Sequence, residues 1–353
     1  MRIGDREIGP GQPPYVIAEI GVNHDGSAER AVALAEAAAR AGADAVKLQF
    51  FRTDLLMSRA AKLAAYQRAA GESDPVSMLR RLELGIDGMA AVVDRAHALG
   101  LQAIVTVFSA DLVVEAERLA WDAYKSASPD AVNRPLLEVM AATGRPLIVS
   151  TGACEAREVE RAVEWLGGVR DRLALLQCVS CYPTADADAA IGAMAALRRV
   201  FDGPVGYSDH TTGEDTGALA ASLGACVLEK HLTYDPSARG PDHAASLDAA
   251  AFARYAEASR SSGRLAFAEH DPRIGPPEKR VLACETDVRR VSRQSITTRR
   301  SLSAGHALTL DDLAIKRPGT GLEPWRLGEV VGRRLARGVN ADMPLGAGDL
   351  APE

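Results

Sequence analysis

Two short runs hold the residues best able to do chemistry: Gly206-Tyr207-Ser208-Asp209-His210 and Val227-Leu228-Glu229-Lys230-His231. Each is an apolar stretch that stops in polar, ionisable residues, and each ends in a histidine. Two imidazoles brought together make a site for a divalent metal. Histidines 21 residues apart are more often unrelated loop residues; the repeated context, with an acid beside each, argues against that here. Residues 213–223 between them have helical spacing, so the order is strand, helix, strand. In a barrel of parallel strands, neighbouring strand ends open on the same mouth.

The rest of the chain repeats this unit. Short apolar runs at 15–20, 45–49, 101–107, 123–125, 146–150, 173–177, 205–207 and 226–229 read as strands, and Ala-rich segments such as 28–40, 89–99 and 155–166 read as amphipathic helices. Gly42, Gly100, Gly144 and Gly224 follow helices in C′-type positions. Eight strands alternating with helices over about 250 residues predict a (β/α)8 TIM barrel. A doubly wound sheet is the competitor, but its Gly-rich fingerprint after the first strand is missing: Glu19-Ile20-Gly21-Val22-Asn23-His24 stands there. Residues 52–84 read as an insertion of irregular helices over one side of the mouth. The Pro- and Gly-rich stretch after His270 marks a linker, giving expected domains of 1–270, a linker at 271–290, and a small β-rich domain at 291–353.

Polar residues gather where the strands stop: Glu19, Lys47 and Gln49, Thr106, Lys125 and Ser128, Ser150, Ser180 and Tyr182, Ser208 with Asp209 and His210, then Glu229 with His231. The C-terminal rim is where a TIM barrel carries its catalytic groups. Any one of these alone is more often a solvated loop residue; chance would have to end every strand this way. Lysines and hydroxyls converging on one mouth suit a phosphate. Lys47 or Lys125 could instead form a Schiff base, a solution to carbonyl activation alternative to a metal Lewis acid.

The 353 residues are 47% apolar and 25% charged, ordinary for a soluble globular chain. A net charge of −6 gives no general attraction to nucleic acid or anionic membrane. No run has signal-peptide or membrane-spanning character, and the expected location is cytoplasmic. Five cysteines, an odd number, do not make a disulfide framework. Cys178 and Cys181 form a C-x-x-C, but with no second pair for zinc and no helix N-terminus beneath it the motif is read as neither metal site nor redox centre.

Several ordered motifs together resemble the sialic acid synthases, enzymes that condense phosphoenolpyruvate with amino sugars to give nonulosonic acids. They are Ile17-Ala18-Glu19-Ile20-Gly21-Val22-Asn23-His24-Asp25-Gly26, Ala45-Val46-Lys47-Leu48-Gln49, Ser150-Thr151-Gly152, Cys178-Val179-Ser180-Cys181-Tyr182-Pro183-Thr184, Gly206-Tyr207-Ser208-Asp209-His210-Thr211, Glu229-Lys230-His231, Gly240-Pro241-Asp242-His243 and Lys316-Arg317-Pro318-Gly319-Thr320-Gly321. The resemblance covers nearly the whole chain. It implies that the tail is an antifreeze-like (SAF, β-clip) domain, and that a domain-swapped homodimer lays Arg317 over the partner's mouth. It implies His210 and His231 as ligands of a divalent metal, Mn2+ foremost, with Mg2+ or Co2+ as alternatives. Lys47, Thr106, Lys125, Ser128, Ser150, Ser180 and Ser208 match positions around phosphoenolpyruvate. Glu19, Gln49, Tyr182 and Asp242 match contacts to the acylamino sugar. Glu19, Asp209 and Glu229 are the candidate catalytic carboxylates, Asp209 or Glu229 orienting the water.

Three departures bear on substrate. Val107 stands where many members have Pro, and Asp130, after the rigid Pro129, stands where relatives usually have Glu and a less rigid neighbour. Ser180 is Asn in some members. Asp130 is kept as a sugar-contact candidate. The sugar is expected to be N-acetylmannosamine or a 2,4-diacetamido-6-deoxyhexose; no extra basic cluster is evident for a sugar phosphate. A Schiff-base pyruvate aldolase and a non-catalytic carbohydrate-binding protein are the other readings.

Overall fold

The structure, a computed structural model, describes residues 1–261, 267–268 and 270–352. Eight parallel strands close a barrel: β1 (Tyr15–Glu19), β2 (Ala45–Phe50), β3 (Gln102–Val107), β4 (Ala123–Ser126), β5 (Leu147–Ser150), β6 (Leu173–Cys178), β7 (Val205–Asp209) and β8 (Val227–His231). β8 pairs with β1, placing His231 opposite Glu19. All eight expected strands are present, β7 and β8 running two residues further than their apolar cores because their polar ends continue the ladder. The four glycines expected after helices all take positive φ, where a Cβ would be strained.

Side-chain alternation along each strand sorts two cores. Inward positions such as Ile17, Ala45, Ile104, Ala123, Ile148, Ala174 and Val227 fill the lower barrel. Their neighbours Val16, Val46, Val105, Tyr124, Leu147, Leu173 and Leu228 face the helices. A two-stranded hairpin, Arg2–Ile3 with Arg6–Glu7, brings Ile3 and Ile8 into the lower core. It is too short to show as apolar periodicity.

The insertion forms helices Thr53–Leu56, Ala65–Ala69 and Pro75–Leu82. Its Leu56, Met57, Met78, Leu79 and Leu82 pack with Val22, Phe51 and Phe108 beside the mouth. Within 271–290, expected as a linker, the chain is docked: Lys279 donates to Gln177 Oε1 at 3.0 Å, and the turn Ala283–Glu285 leads into helix Thr286–Ser292. The tail pairs β9 (Ser295–Thr298) antiparallel with β10 (Leu313–Lys316) around Ile296, Leu302, Leu308, Leu322 and Leu335. No helix among the described residues is long and apolar enough to cross a membrane.

Candidate active site

The alternation that sends Ile17, Ala45, Ile104, Ala123 and Val227 into the barrel also sends Glu19, Lys47, Thr106, Lys125 and Glu229 into its mouth two residues later. Register joins them, with Glu19 opposite Lys47 and Thr106 opposite Lys125. The resulting pocket is lined by Glu19, Lys47, Gln49, Thr106, Lys125, Ser128, Ser180, Tyr182, Ser208, His210, Glu229, His231, Asp242 and Arg317. Fourteen of the seventeen residues singled out from sequence therefore meet in one place.

The charges are arranged as a buried network. Lys47 Nζ ion-pairs with Glu19, donates to Thr106 Oγ1 at 3.0 Å and lies 3.9 Å from Glu229 Oε1. Lys125 Nζ donates to the same Glu229 oxygen at 2.9 Å, as does Ser208 Oγ at 3.2 Å. Burial pushes the Lys47 ammonium down to about 7, against the carboxylate of Glu229. Burial alone would raise Glu229, and the charges of Lys125 and Lys47 turn this into a net lowering. Several polar atoms remain buried without a partner: Glu229 Oε2, Ser150 Oγ, Ser180 Oγ, His231 Nδ1 and Arg317 Nε. Such atoms cost free energy unless a ligand satisfies them. Gly152 closes the floor; a Cβ there would collide with the hydroxyls of Ser180 and Ser128, so only glycine lets the two converge.

Arg317 reaches the mouth from the tail domain. Its backbone N–H donates to Leu56 O at 2.8 Å and its carbonyl accepts from Ser58 N at 3.1 Å. The guanidinium carbon sits 5.5 Å from the Phe108 ring centre. In this single chain Arg317 sits over the mouth of its own barrel.

Three expected residues do not line the mouth. Asp209 requires a correction: Ser208 points inward, so its neighbour Asp209 points outward, where it accepts from Lys230 Nζ at 3.0 Å and from the backbone and hydroxyl of Thr211. It forms an ion pair in the outer layer and does not line the pocket. Ser150 is fully buried beneath the pocket. Asp130 is buried behind the pocket, where Oδ1 accepts from Gln294 Nε2 at 2.8 Å and Asn133 Nδ2 at 3.2 Å. Residues that sequence reasoning did not single out as site members also line the mouth: Tyr66, Gln67, Met78, Leu79 and Leu82 from the insertion, and Val288 and Ser292 from the connecting helix. Tyr66 stacks on Tyr182 at 5.1 Å, and Tyr182 on His210 at 4.1 Å. The insertion had signalled only that some helix covers the mouth.

Asp130 allows a stability prediction. Burial pushes its carboxyl up from 3.8 to about 6, against the opposing charge of Arg317. A raised folded-state pKa means that the protonated form fits the fold. This stability is complete below pH about 4 and is lost as pH rises through about 6. Asp130→Asn, neutral throughout, is expected to be more stable than the parent by about 2–3 kcal/mol near neutral pH and to match it under acid. Urea denaturation across that window checks this; parallel pH profiles for the two proteins would exclude Asp130 as the source.

A divalent metal at His210 and His231 fits these residues. Their ring centres are 5.5 Å apart. His210 Nδ1 donates to Val179 O at 2.7 Å, which leaves its Nε2 lone pair for a ligand. Burial holds His231 well below the ordinary imidazole range, in the neutral form that binds metal. Among the described residues no group of three or more His, Cys, Asp or Glu side chains could hold a cation. The two imidazoles would be its protein ligands, with water or substrate oxygens completing the shell.

Comparison with known proteins agrees with this geometry. The model of the NeuB family matches residues 34–266 and that of the SAF domain residues 293–351. The chain is 36% identical to the N,N'-diacetyllegionaminic acid synthase of Legionella pneumophila over 97% of this chain and 96% of that one. It is 30% identical to the pseudaminic acid synthase of Helicobacter pylori, covering 96% and 98%. The crystal structure of the spore coat polysaccharide biosynthesis protein SpsE of Bacillus subtilis superposes with a TM-score of 0.85 at 27% identity, covering 100% of this chain and 99% of the other.

Proposed function

This chain belongs to the NeuB family, the sialic acid synthases with a C-terminal SAF domain, and from that premise we propose that it condenses phosphoenolpyruvate with the open-chain form of an N-acylated amino sugar. The products are a nine-carbon nonulosonic acid and phosphate. The observation that carries the reading is the buried Lys47–Glu229–Lys125 network in one pocket with the two histidines, Ser128, Ser180 and Arg317.

Lys47, Lys125 and the serine hydroxyls bind the phosphate and carboxylate of phosphoenolpyruvate, and Arg317 covers them from above. C3 of phosphoenolpyruvate forms a bond to the sugar's aldehyde carbon, and C2 is left as an oxocarbenium. Water adds to C2, the C2–O bond to phosphate then breaks as the new C2 hydroxyl becomes a carbonyl, and that hydroxyl's proton leaves with the phosphate. The proton lost by the water balances the one gained by the former aldehyde oxygen. Glu229, whose Oε2 is buried without a hydrogen-bond partner, accepts the water's proton, while Lys47 and Lys125 hold the charge of the departing phosphate. What a divalent cation, Mn2+ foremost, supplies when held by His210 and His231 is Lewis acidity for a carbonyl oxygen.

For the sugar, we favour a 2,4-diacetamido-6-deoxyhexose. One wall of the pocket is apolar (Val22, Met78, Leu79, Leu82, Phe108), which suits methyl groups better than a second phosphate. The Legionella pneumophila relative, a diacetyllegionaminic acid synthase, supports the same choice.

Phosphate release from phosphoenolpyruvate, with Mn2+ or EDTA, across N-acetylmannosamine, its 6-phosphate and the 2,4-diacetamido-6-deoxyhexoses tests the reading. Mn2+-dependent release with a deoxyhexose is expected; release with none of them sinks it. Calorimetric titration of metal-free protein with Mn2+ tests the ligands separately. Loss of His231 is expected to weaken Mn2+ binding by about a hundredfold, and unchanged affinity in His231→Ala would remove the metal from these residues. The low Lys47 is the one feature that favours a Schiff-base aldolase; borohydride trapping of pyruvate on Lys47 would select that alternative.

A further inference from the structure

Glu285 is buried, although it belongs to the segment between the two domains, in the turn Ala283–Glu285. Its Oε1 accepts from Ala153 N at 2.6 Å and from Ser180 N at 2.8 Å, and its Oε2 accepts from Leu282 N at 2.9 Å. Ala153 lies in the turn after β5 and Ser180 in the turn after β6. One carboxylate oxygen therefore ties two neighbouring strand ends together, with the strength of a charged acceptor. The two turns fit closely. A Cβ at Gly152 would lie 2.3 Å from Ser180 Oγ and 2.8 Å from Ser128 Oγ, and Ala153 itself takes a φ of 52°, in the left-handed region. Ser180 lines the pocket, and its hydroxyl is buried without a partner. Pinning its backbone N–H fixes where that hydroxyl stands.

We propose that Glu285 is a positioning residue for the phosphoenolpyruvate end of the site, holding Ser180 and the turn at 151–153 in the arrangement that receives the substrate's anionic groups. This rests on the function proposed above. Glu285 does not line the pocket; it acts through the two backbone N–H groups. The Ala153 carbonyl is held from the same segment, by Arg289 and Arg293, so both polar groups of that peptide turn depend on residues outside the barrel. The sugar end has support of its own: Tyr182, two residues after Ser180, is stacked between Tyr66 and His210. Loss of the Glu285 carboxylate should therefore separate the two substrates.

Steady-state kinetics of the full-length parent, Glu285→Ala and Glu285→Gln make the test, beside hydrogen exchange read by mass spectrometry on peptides covering 151–155 and 179–184. Glu285→Ala is expected to raise KM for phosphoenolpyruvate about tenfold while KM for the sugar stays within about twofold. Glu285→Gln keeps a neutral oxygen for the two N–H groups, so it should fold as the parent does and show the same split in weaker form, about threefold. Exchange at both turns should be faster in the variants, in the same order. An unchanged KM for phosphoenolpyruvate in every variant that folds, or KM values for both substrates raised alike, overturns the proposal. If the parent itself binds no phosphoenolpyruvate in calorimetric titration, the proposed function falls, and exchange alone decides whether Glu285 holds the two turns; equal exchange in all the folded proteins would overturn that too.

Discussion

Lys125→Met is expected to lower kcat/KM for phosphoenolpyruvate about a thousandfold, about 4 kcal/mol of transition-state stabilisation. The magnitude comes from where the charge sits. Lys125 is 4% exposed, and its hydrogen-bonding partner in the mouth is Glu229, at 2.9 Å. An arriving phosphate meets a preformed cation in a site from which water is largely excluded. Methionine keeps most of the side-chain volume and removes the charge. Glu229 is then left with Lys47 at 3.9 Å as its nearest cation, and it faces the phosphate as a like charge. Lys125→Arg is not expected to rescue the loss, because the guanidinium spreads its charge over a planar fork where the site holds a compact ammonium. Steady-state kinetics of phosphate release check the effect, with near-UV circular dichroism to confirm the fold. A loss under tenfold would mean that Lys125 does not hold the phosphate.

The barrel was legible because apolar runs of strand length recur with amphipathic helices between them, a pattern that depends on local sequence alone. The site was legible for the same reason: polar residues interrupt those runs at their C-terminal ends. Asp209 shows the limit of reading clusters without parity. Ser208, Asp209 and His210 look like one polar group in sequence, yet a strand can turn only alternate residues to one side. With Ser208 inward, Asp209 had to face the helices, where Lys230, displaced outward by the same rule, became its partner. What was not legible depends on long-range packing. Nothing local to Glu285 or Gln294 marks them as neighbours of Ser180, Ala153 and Asp130. Leu56 and Ser58 of the insertion between β2 and β3 hold the Arg317 backbone on both sides, a long-range contact with no local signal around Arg317.

Glu158→Ala is expected to destabilise the protein by about 3–5 kcal/mol, the usual result of removing one member of a buried ion pair. Glu158 lies on the barrel helix Ala156–Trp165 and binds two arginines of the segment leading into the tail: Arg293 Nη1 at 2.7 Å and Arg289 Nη1 at 2.8 Å. The same guanidiniums donate to Ala153 O, so the pair fastens helix Thr286–Ser292 across the barrel rim. Burial would raise the Glu158 carboxyl, but the hydrogen bonds from Arg293 and Arg289 outweigh it and bring the pKa from 4.5 down to about 2. A lowered folded-state pKa contributes stability that is complete above pH about 4.5 and is lost as pH falls through about 2. With partial solvent screening, that contribution is about 2 kcal/mol. The gap between parent and variant in urea should therefore narrow on acidification across this window; a constant gap would show that packing, and not charge, makes the difference. Because Arg317 sits in the mouth only while the tail is docked, the variant should also show a higher KM for phosphoenolpyruvate under conditions where it remains folded. A destabilised variant with an unchanged KM would separate the stability role of Glu158 from the placement of Arg317.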